Sequence, residues 1–508
     1  MSPATLLEYN TCVKDVRDVD VLFGYCYPST YRAGMTGLAT HLFYSILNSR
    51  EDTSCERYFR FDALSASKSV DSGRPLKDNH ILGFSLTYEE DVLNAIQMLD
   101  LGAVPVIAAE RANDDPLVIF GGPAASANPE PYVDFTDAFV IGEGDLVIHE
   151  IIEAVRNSSS RNSALSLLGE IDGVYVPSLI PTQVDRLVVD DLDSLHHPTS
   201  QIIPDVPEGS PLEPVFGKSL LVEVARGCGH SCGFCLVGHV CRPRRVRSLE
   251  VLQKIIERGV SDTPIRRVSL IASSLGDKDR LEDLADWIVG QDLGLSVPSL
   301  RADSVTENLL KSLVTSGQRT LTIAPETGSQ ELRKMIGKGL DDSAIENAVS
   351  LAAETGYKAV KLYFIIGLPK ETDEHVESIV RMVKRLADLS GLRITASVNP
   401  YIPKAHTRWE REAQPPIDSL RKKLRIIKAG LRNVPKVRLE HLDLRNSRIQ
   451  AALSVGDRSL GRVIRLASEY GGLSGWRRGE KETGIPLFSV ASDSERLKGD
   501  LPWSFIRI

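Results

Sequence analysis

The stretch Ala225-Arg226-Gly227-Cys228-Gly229-His230-Ser231-Cys232-Gly233-Phe234-Cys235 decides how this chain is read. Its cysteines stand at i, i+4 and i+7, directly after a predicted strand from Leu220 to Ala225. Thiolates at that spacing can wrap three irons of a [4Fe-4S] cubane from one short loop, and Gly227, Gly229 and Gly233 let the backbone bend around it. The remaining iron then has no protein ligand, and an open metal position is where chemistry takes place. The competing reading is a structural zinc knot completed by His230 or Cys241, because zinc usually takes four N or S ligands.

Outward from this loop, strand and helix patterns alternate. Further strands are predicted at Val268–Ala272, Leu295–Leu300, Thr320–Ala324, Ala359–Ile365 and Ile394–Val398, with helices between them. Val376, Ile379, Val380, Val383 and Leu386 share one helical face, as an outer barrel helix requires. Six β/α units are too few to close an eightfold barrel, so residues 218–415 are expected to form a partial (β/α)6 barrel. Residues 1–190 read as a doubly wound, Rossmann-like α/β domain, with strands at Val19–Tyr25, Ile81–Leu86, Leu117–Phe120 and Ala138–Ile141. Residues 191–217, rich in proline and without periodicity, read as a linker. Residues 416–508 read as a helical or mixed extension, whose first helix has Leu420, Leu424, Ile427 and Leu431 on one stripe and a basic opposite face. The fold class is α/β.

The bulk numbers fit this picture. The chain has 508 residues, 42% of them hydrophobic, and a net charge of −8, which argues against a general nucleic-acid coat. Its apolar runs are shorter than the ~20 residues of a membrane span. The N-terminus has no basic start followed by an apolar core, so a cytoplasmic protein is expected. Seven cysteines at irregular spacing do not make a secreted disulfide framework; they suggest metal in a reducing compartment. Cys12, Cys26 and Cys55 are read as small buried hydrophobes, with a second cluster as the alternative. The run Arg242-Pro243-Arg244-Arg245-Val246-Arg247 has two readings, a site for an anion or electron donor and a solvated loop.

The cysteine loop, with Phe234 before its last cysteine, resembles the signature of the radical S-adenosylmethionine (SAM) superfamily. That resemblance implies that SAM chelates the open iron and is cleaved by one electron to a 5′-deoxyadenosyl radical. It also implies SAM contacts at the barrel-strand ends. Ser273 and Ser274, in Ser273-Ser274-Leu275-Gly276, stand where the family binds the SAM amino group, in place of its usual Gly-Gly-Glu. Arg301 is placed to pair with the SAM carboxylate, Glu326 lies in the ribose-binding turn, and Gly367 in the adenine-contacting turn.

The N-terminal region resembles the cobalamin-binding domains that precede many such barrels, over Gly24 to Leu38, Asp114 to Ala124 and Phe139 to Asp145. The residues implied for cobalamin are Tyr27, Ser85, Tyr88, Gly121, Gly122, Gly142, Glu143 and Gly144. The Asp-x-His-x-x-Gly motif of many cobalamin domains is absent, so a bound cofactor is expected without a histidine ligand. The whole implies a cobalamin-dependent radical SAM C-methyltransferase. In that scheme reduced cobalt takes a methyl group from one SAM, and a second SAM supplies the radical that activates an inert substrate carbon. The resemblance also implies a low-potential donor such as ferredoxin or flavodoxin. It implies a protein or peptide substrate too, with a glutamine of methyl-coenzyme M reductase as the named candidate. A tRNA-modifying methylthiotransferase, a radical SAM enzyme that does not methylate, and a non-enzymatic assembly scaffold are the alternatives.

Overall fold

The computed structural model describes residues 6–60, 67–179, 183–275 and 280–508. The first region builds a six-stranded sheet in the order Thr53–Phe59, Val21–Tyr27, Ile81–Ser85, Leu117–Gly121, Ala138–Val140, Val174–Tyr175. All neighbours are parallel except the last pair. By sequence the order is 2-1-3-4-5-6, so the winding reverses between the strands that end at Tyr27 and Ser85. Open α/β sheets bind ligands beyond the strand carboxyl ends at that kind of reversal.

Thr53–Phe59 was not among the predicted strands, and the reason is physical. Its sequence, Thr-Ser-Cys-Glu-Arg-Tyr-Phe, carries charges that read as surface, yet every residue is buried. Arg57 is fully enclosed and held by Glu8 at 2.6 Å and Asp71 at 2.8 Å. Glu56 accepts hydrogen bonds from the Ser69 and Ser72 hydroxyls. A buried charge is tolerated only when it is paired in this way.

The barrel runs as two parallel sheets. Leu220–Glu223, Arg267–Ile271 and Gly294–Ser296 form one; Thr320–Glu326, Ala359–Ile366, Arg393–Pro400 and Val437–His441 form the other. Leu300 N–H bonds the Thr322 carbonyl across the seam at 3.0 Å. One apolar core underlies both sheets, from Leu220 and Leu270 to Leu362, Val383 and Ile427. The strand Val437–His441 adds an edge beyond the six expected. It alternates with Arg438 and Glu440, a pattern that sequence periodicity assigns weakly, and Glu440 pairs with Lys361 at 3.3 Å.

The C-terminal helices Leu444–Val455, Leu460–Tyr470 and Gly472–Thr483 pack beside the N-terminal sheet rather than standing apart. Phe84, Phe120 and Phe139 share one core with Leu453, Ile464, Trp476 and Trp503. The final strand, Ile506–Arg507, pairs in parallel with Val184–Asp185. The two ends of the chain thus form one layered body beside the barrel.

Candidate active site at the barrel mouth

The cysteine loop is closed by a short antiparallel ladder, Ala225 to Val246 and Arg226 to Arg245. Gly227 has φ +79°, and a Cβ there would lie 2.1 Å from the Cys241 carbonyl oxygen, so no other residue fits. A Cβ at Gly233 would meet the Trp409 ring at 2.8 Å. The Gly233 backbone bonds Ile336 and Trp409, at 2.8 and 3.1 Å, which fastens the loop to the barrel. His239 adds a further tie, with Nδ1 at 2.8 Å from the Cys235 carbonyl and Nε2 accepting from Arg408 N–H.

Cys228 and Cys235 are partly exposed and Cys232 is buried. Burial pushes the Cys232 thiol up to about 11 and raises that of Cys235, so metal binding there must expel protons. Among the described residues no trio of His, Cys, Asp or Glu side chains converges as one ion requires. A zinc knot needs its ligands about 2.3 Å from one point, whereas a cubane takes each thiolate on a different iron. The donor set of three thiols on a glycine-hinged loop fits the cubane.

The residues expected around SAM sit at the carboxyl ends of the barrel strands. Ser273 and Ser274 follow Arg267–Ile271; the Ser274 hydroxyl is buried without a partner among the described residues. Gly276, quoted with them, lies outside the described residues. Arg301 forms a two-pronged pair with Asp303, at 2.9 and 2.6 Å. Glu326 ends its strand at φ +68°, after a break in register, and is buried against Lys338 at 2.9 Å. Burial raises its carboxyl even so. Gly367 has φ +81°, and its N–H bonds Glu371, which Lys423 pairs at 2.9 Å.

A cavity of about 340 Å³ opens between these strand ends and the cysteine loop. Phe234, Glu326, Tyr363, Asn399, Tyr401 and Lys404 are among its lining residues. Lys338, Trp409, Tyr363, Asn399 and Lys404 escaped the sequence reading. Tyr363, Asn399 and Lys404 lie in or after strands, Trp409 in the loop beyond, and Lys338 just after the helix Gln330–Ile336, so only the three-dimensional edge collects them.

The loops after the N-terminal strands meet the same edge. Lys404 pairs with the buried Glu89, which also accepts from Gln450 at 2.9 Å. Tyr88 donates to Gln450 at 2.7 Å, and the Tyr27 and Thr87 hydroxyls are 3.3 Å apart. Ser85 and Gly121 are paired in register at adjacent strand ends. A Cβ at Gly121 would be accommodated, in ordinary contact with Val140 at 3.9 Å, and one at Gly144 would meet Val140 at 3.4 Å. Gly122 and Gly142 have a reason within the chain itself, because a Cβ would lie 2.7 Å from the Leu86 oxygen and 2.4 Å from the Leu187 oxygen.

Glu143 is engaged by protein cations. Arg226 binds it at 3.0 Å and Arg245 at 2.7 Å; Arg226 also takes Asp145 at 3.0 Å and Glu223 at 2.9 Å. This cluster joins the N-terminal sheet edge to the strand that leads into the cysteines. It also settles the place of two arginines of the basic run, while Arg242 and Arg244 stay half-exposed. Arg245 and Arg247 are buried; Arg245 donates to the Val189 carbonyl at 2.8 Å, and Arg247 to that of Leu192. These two tie the end of the N-terminal region and the start of the linker to the barrel rather than await an anion or face solvent.

Cys26 and Cys55 are fully buried in the N-terminal cores, and their thiols are raised by burial. Replacing Cys12, Cys26 and Cys55 together by alanine is therefore expected to leave iron content unchanged. A loss of about half the iron on analysis would revive a second cluster.

Residues 39–177 match the family described as radical SAM proteins, N-terminal, and residues 222–383 the radical SAM superfamily. The uncharacterized protein MJ0966 of Methanocaldococcus jannaschii is 30% identical over 459 residues, 89% of this chain and 91% of that one. The chain belongs to the radical SAM superfamily. Another relative, an uncharacterized methyltransferase of Pyrococcus horikoshii (PH0819), is 26% identical over 303 residues, 58% of this chain and 62% of its own. Among solved radical SAM structures, the methyltransferase TsrM from Kitasatospora setae, with cobalamin and a [4Fe-4S] cluster bound, has the same fold. The match has a TM-score of 0.57 and 15% identity, covering 91% of this chain and 98% of that one. No helix among the described residues is long and apolar enough to cross a membrane.

Proposed function

We propose that this protein is a cobalamin-dependent radical SAM C-methyltransferase that acts on an unactivated carbon. The observation that carries the reading is the meeting of two carboxyl edges. The carboxyl edge of the N-terminal sheet, through Glu89 and Glu143, abuts the barrel mouth that carries Cys228, Cys232 and Cys235. Both architectures keep their ligands at such edges. Bound there, a [4Fe-4S] cluster with SAM supplies a carbon radical, and cobalamin supplies the methyl group.

The chain's own residues do the rest. The cysteines hold the cluster; Ser274 and Arg301 orient the amino and carboxylate ends of SAM; Glu326 and Gly367 shape the ribose and adenine turns. Tyr27, Ser85, Tyr88, Gly121 and Gly144 line the cobalamin side, and Glu143 fixes that edge to the cluster strand. Tyr363, Asn399 and Lys404 face the substrate, while Phe234 and Trp409 exclude water. The acceptor we favour is a polypeptide, with a glutamine of methyl-coenzyme M reductase as the first candidate to assay, and ferredoxin or flavodoxin as the donor. Methylthiotransfer is disfavoured by the buried positions of Cys26 and Cys55.

The test is anaerobic reconstitution with iron, sulfide and hydroxocobalamin, followed by absorbance spectroscopy and metal analysis. The expected result is about four irons and one cobalamin per chain, with a base-off spectrum because no histidine motif supplies a lower ligand. A spectrum of histidine ligation, or no cobalamin uptake far above micromolar concentration, overturns the reading.

A further inference from the structure

A second, open groove of about 410 Å³ lies beside the barrel mouth, between the helices Ile417–Leu431, Leu444–Val455 and Gly472–Thr483. Its lining carries Arg421, Arg445, Arg448, Arg477 and Lys481 against a single carboxylate, Glu480. In a chain of net charge −8 that is a sharp local reversal. Arg421 and Arg445 have partners in Asp418 and Asp443. Arg477 and Lys481 do not pair with any carboxylate among the described residues. They are exposed and stand at i and i+4 on one helix, where like charges repel unless an anion lies between them.

The groove is one residue layer from the barrel-mouth cavity. Arg448 is buried and donates to Gln414 at 3.2 Å; Gln414 in turn donates to the carbonyl of Tyr401, which lines that cavity, at 2.8 Å. Ile417, Leu473 and Phe488 give the groove apolar patches between its cations. Pockets for small molecules enclose most of their ligand, so this open groove is of another kind. Strands of nucleic acid are held by several stacked aromatic rings, and the lining offers one, Phe488.

We propose that this groove docks an acidic polypeptide segment of the methyl acceptor, placing the residue to be modified at the barrel mouth. The inference rests on the function proposed above for its account of the reaction, but the docking is read by binding alone. Carboxylates of the segment pair with Arg477 and Lys481, and an apolar side chain settles on Phe488.

Fluorescence anisotropy on the full-length protein tests this with three labelled probes. These are an alternating Glu-Leu peptide of about ten residues, its Lys-Leu counterpart, and a single-stranded oligothymidylate of similar length. The Glu-Leu peptide is expected to bind, to weaken with salt, and to bind about tenfold more weakly to Arg477→Gln/Lys481→Gln. Arg478→Gln, on the same helix but paired with Glu482 at 2.5 Å outside the groove, is expected to bind as the parent does. The inference is overturned if the Glu-Leu peptide fails to bind, or binds the double variant equally well. Tighter binding of the oligonucleotide, lost in that variant, also overturns it. Both variants leave SAM cleavage unchanged. Failure of SAM cleavage or cobalamin uptake in the parent, with peptide binding intact, counts against the proposed function and not against this groove.

Discussion

Replacing Cys228, Cys232 and Cys235 together by alanine is expected to remove the cluster iron and abolish SAM cleavage, while the rest of the protein stays folded. The chemistry leaves no substitute, because a methyl group cannot ligate iron. The structural cost is small. Two of the three thiols are partly exposed, and Cys232 contributes one buried sulfur, with a loss of about 1 kcal/mol. The loop keeps its other anchors, the ladder at Arg226 and Arg245 and the Gly233 bonds to Ile336 and Trp409. Iron analysis should fall from about four per chain to near zero, with an unchanged circular dichroism spectrum. Iron held at the parent level in this variant would end the cluster assignment.

The second large effect is one of stability. Arg226 is 18% exposed and serves three carboxylates, Glu143, Asp145 and Glu223, exposed by 10%, 6% and 13%. Arg226→Gln leaves those charges crowded and desolvated, and removing one partner of such a buried set costs roughly 3–5 kcal/mol. The pH dependence gives the signature. Burial raises the Glu223 carboxyl, but hydrogen bonding and charge from Arg226, with Arg247 and His197, outweigh it and hold it below 4.5. In the parent that stabilisation is complete above pH 4.5 and is lost as pH falls through the lowered value. Without Arg226 the Glu223 carboxyl takes up a proton more readily, so protonation relieves the variant as pH falls. The gap in melting temperature between the two proteins should therefore narrow from pH 7 to about 5. A constant gap, or a destabilisation at pH 7 below about 1 kcal/mol, would remove Arg226 from its part in joining the two regions.

Much of this was legible in the chain itself. The cysteine spacing, the six central strands and the glycine-rich strand ends follow from local pattern, because buried parallel strands are apolar runs with turns at fixed ends. Thr53–Phe59 and Val437–His441 were not legible. In each the charged residues are matched by partners distant in sequence, such as Glu8 for Arg57 and Lys361 for Glu440. The same holds for the site. Ser274, Glu326 and Gly367 were legible as residues at strand ends, whereas Arg226, Lys338 and Lys404 show their pairings only through partners up to 315 positions away. Glu143 shows the reverse. Its motif pointed toward a cofactor, and the structure gives its carboxylate to two arginines.

The shared core of the chain's two ends bears on synthesis. Tyr88 meets Gln450 across 362 positions, and Gln97 meets Ser468 across 371. The N-terminal sheet therefore waits, with Phe84, Phe120 and Phe139 uncovered on one side, until residues 449–506 have been made. During that interval the barrel between them emerges and can fold on its own local contacts, which form sooner than pairings so far apart. Closure by Trp476, Trp503 and the terminal strand comes last, and a premature stop even a few dozen codons early would leave an apolar sheet face for aggregation to find.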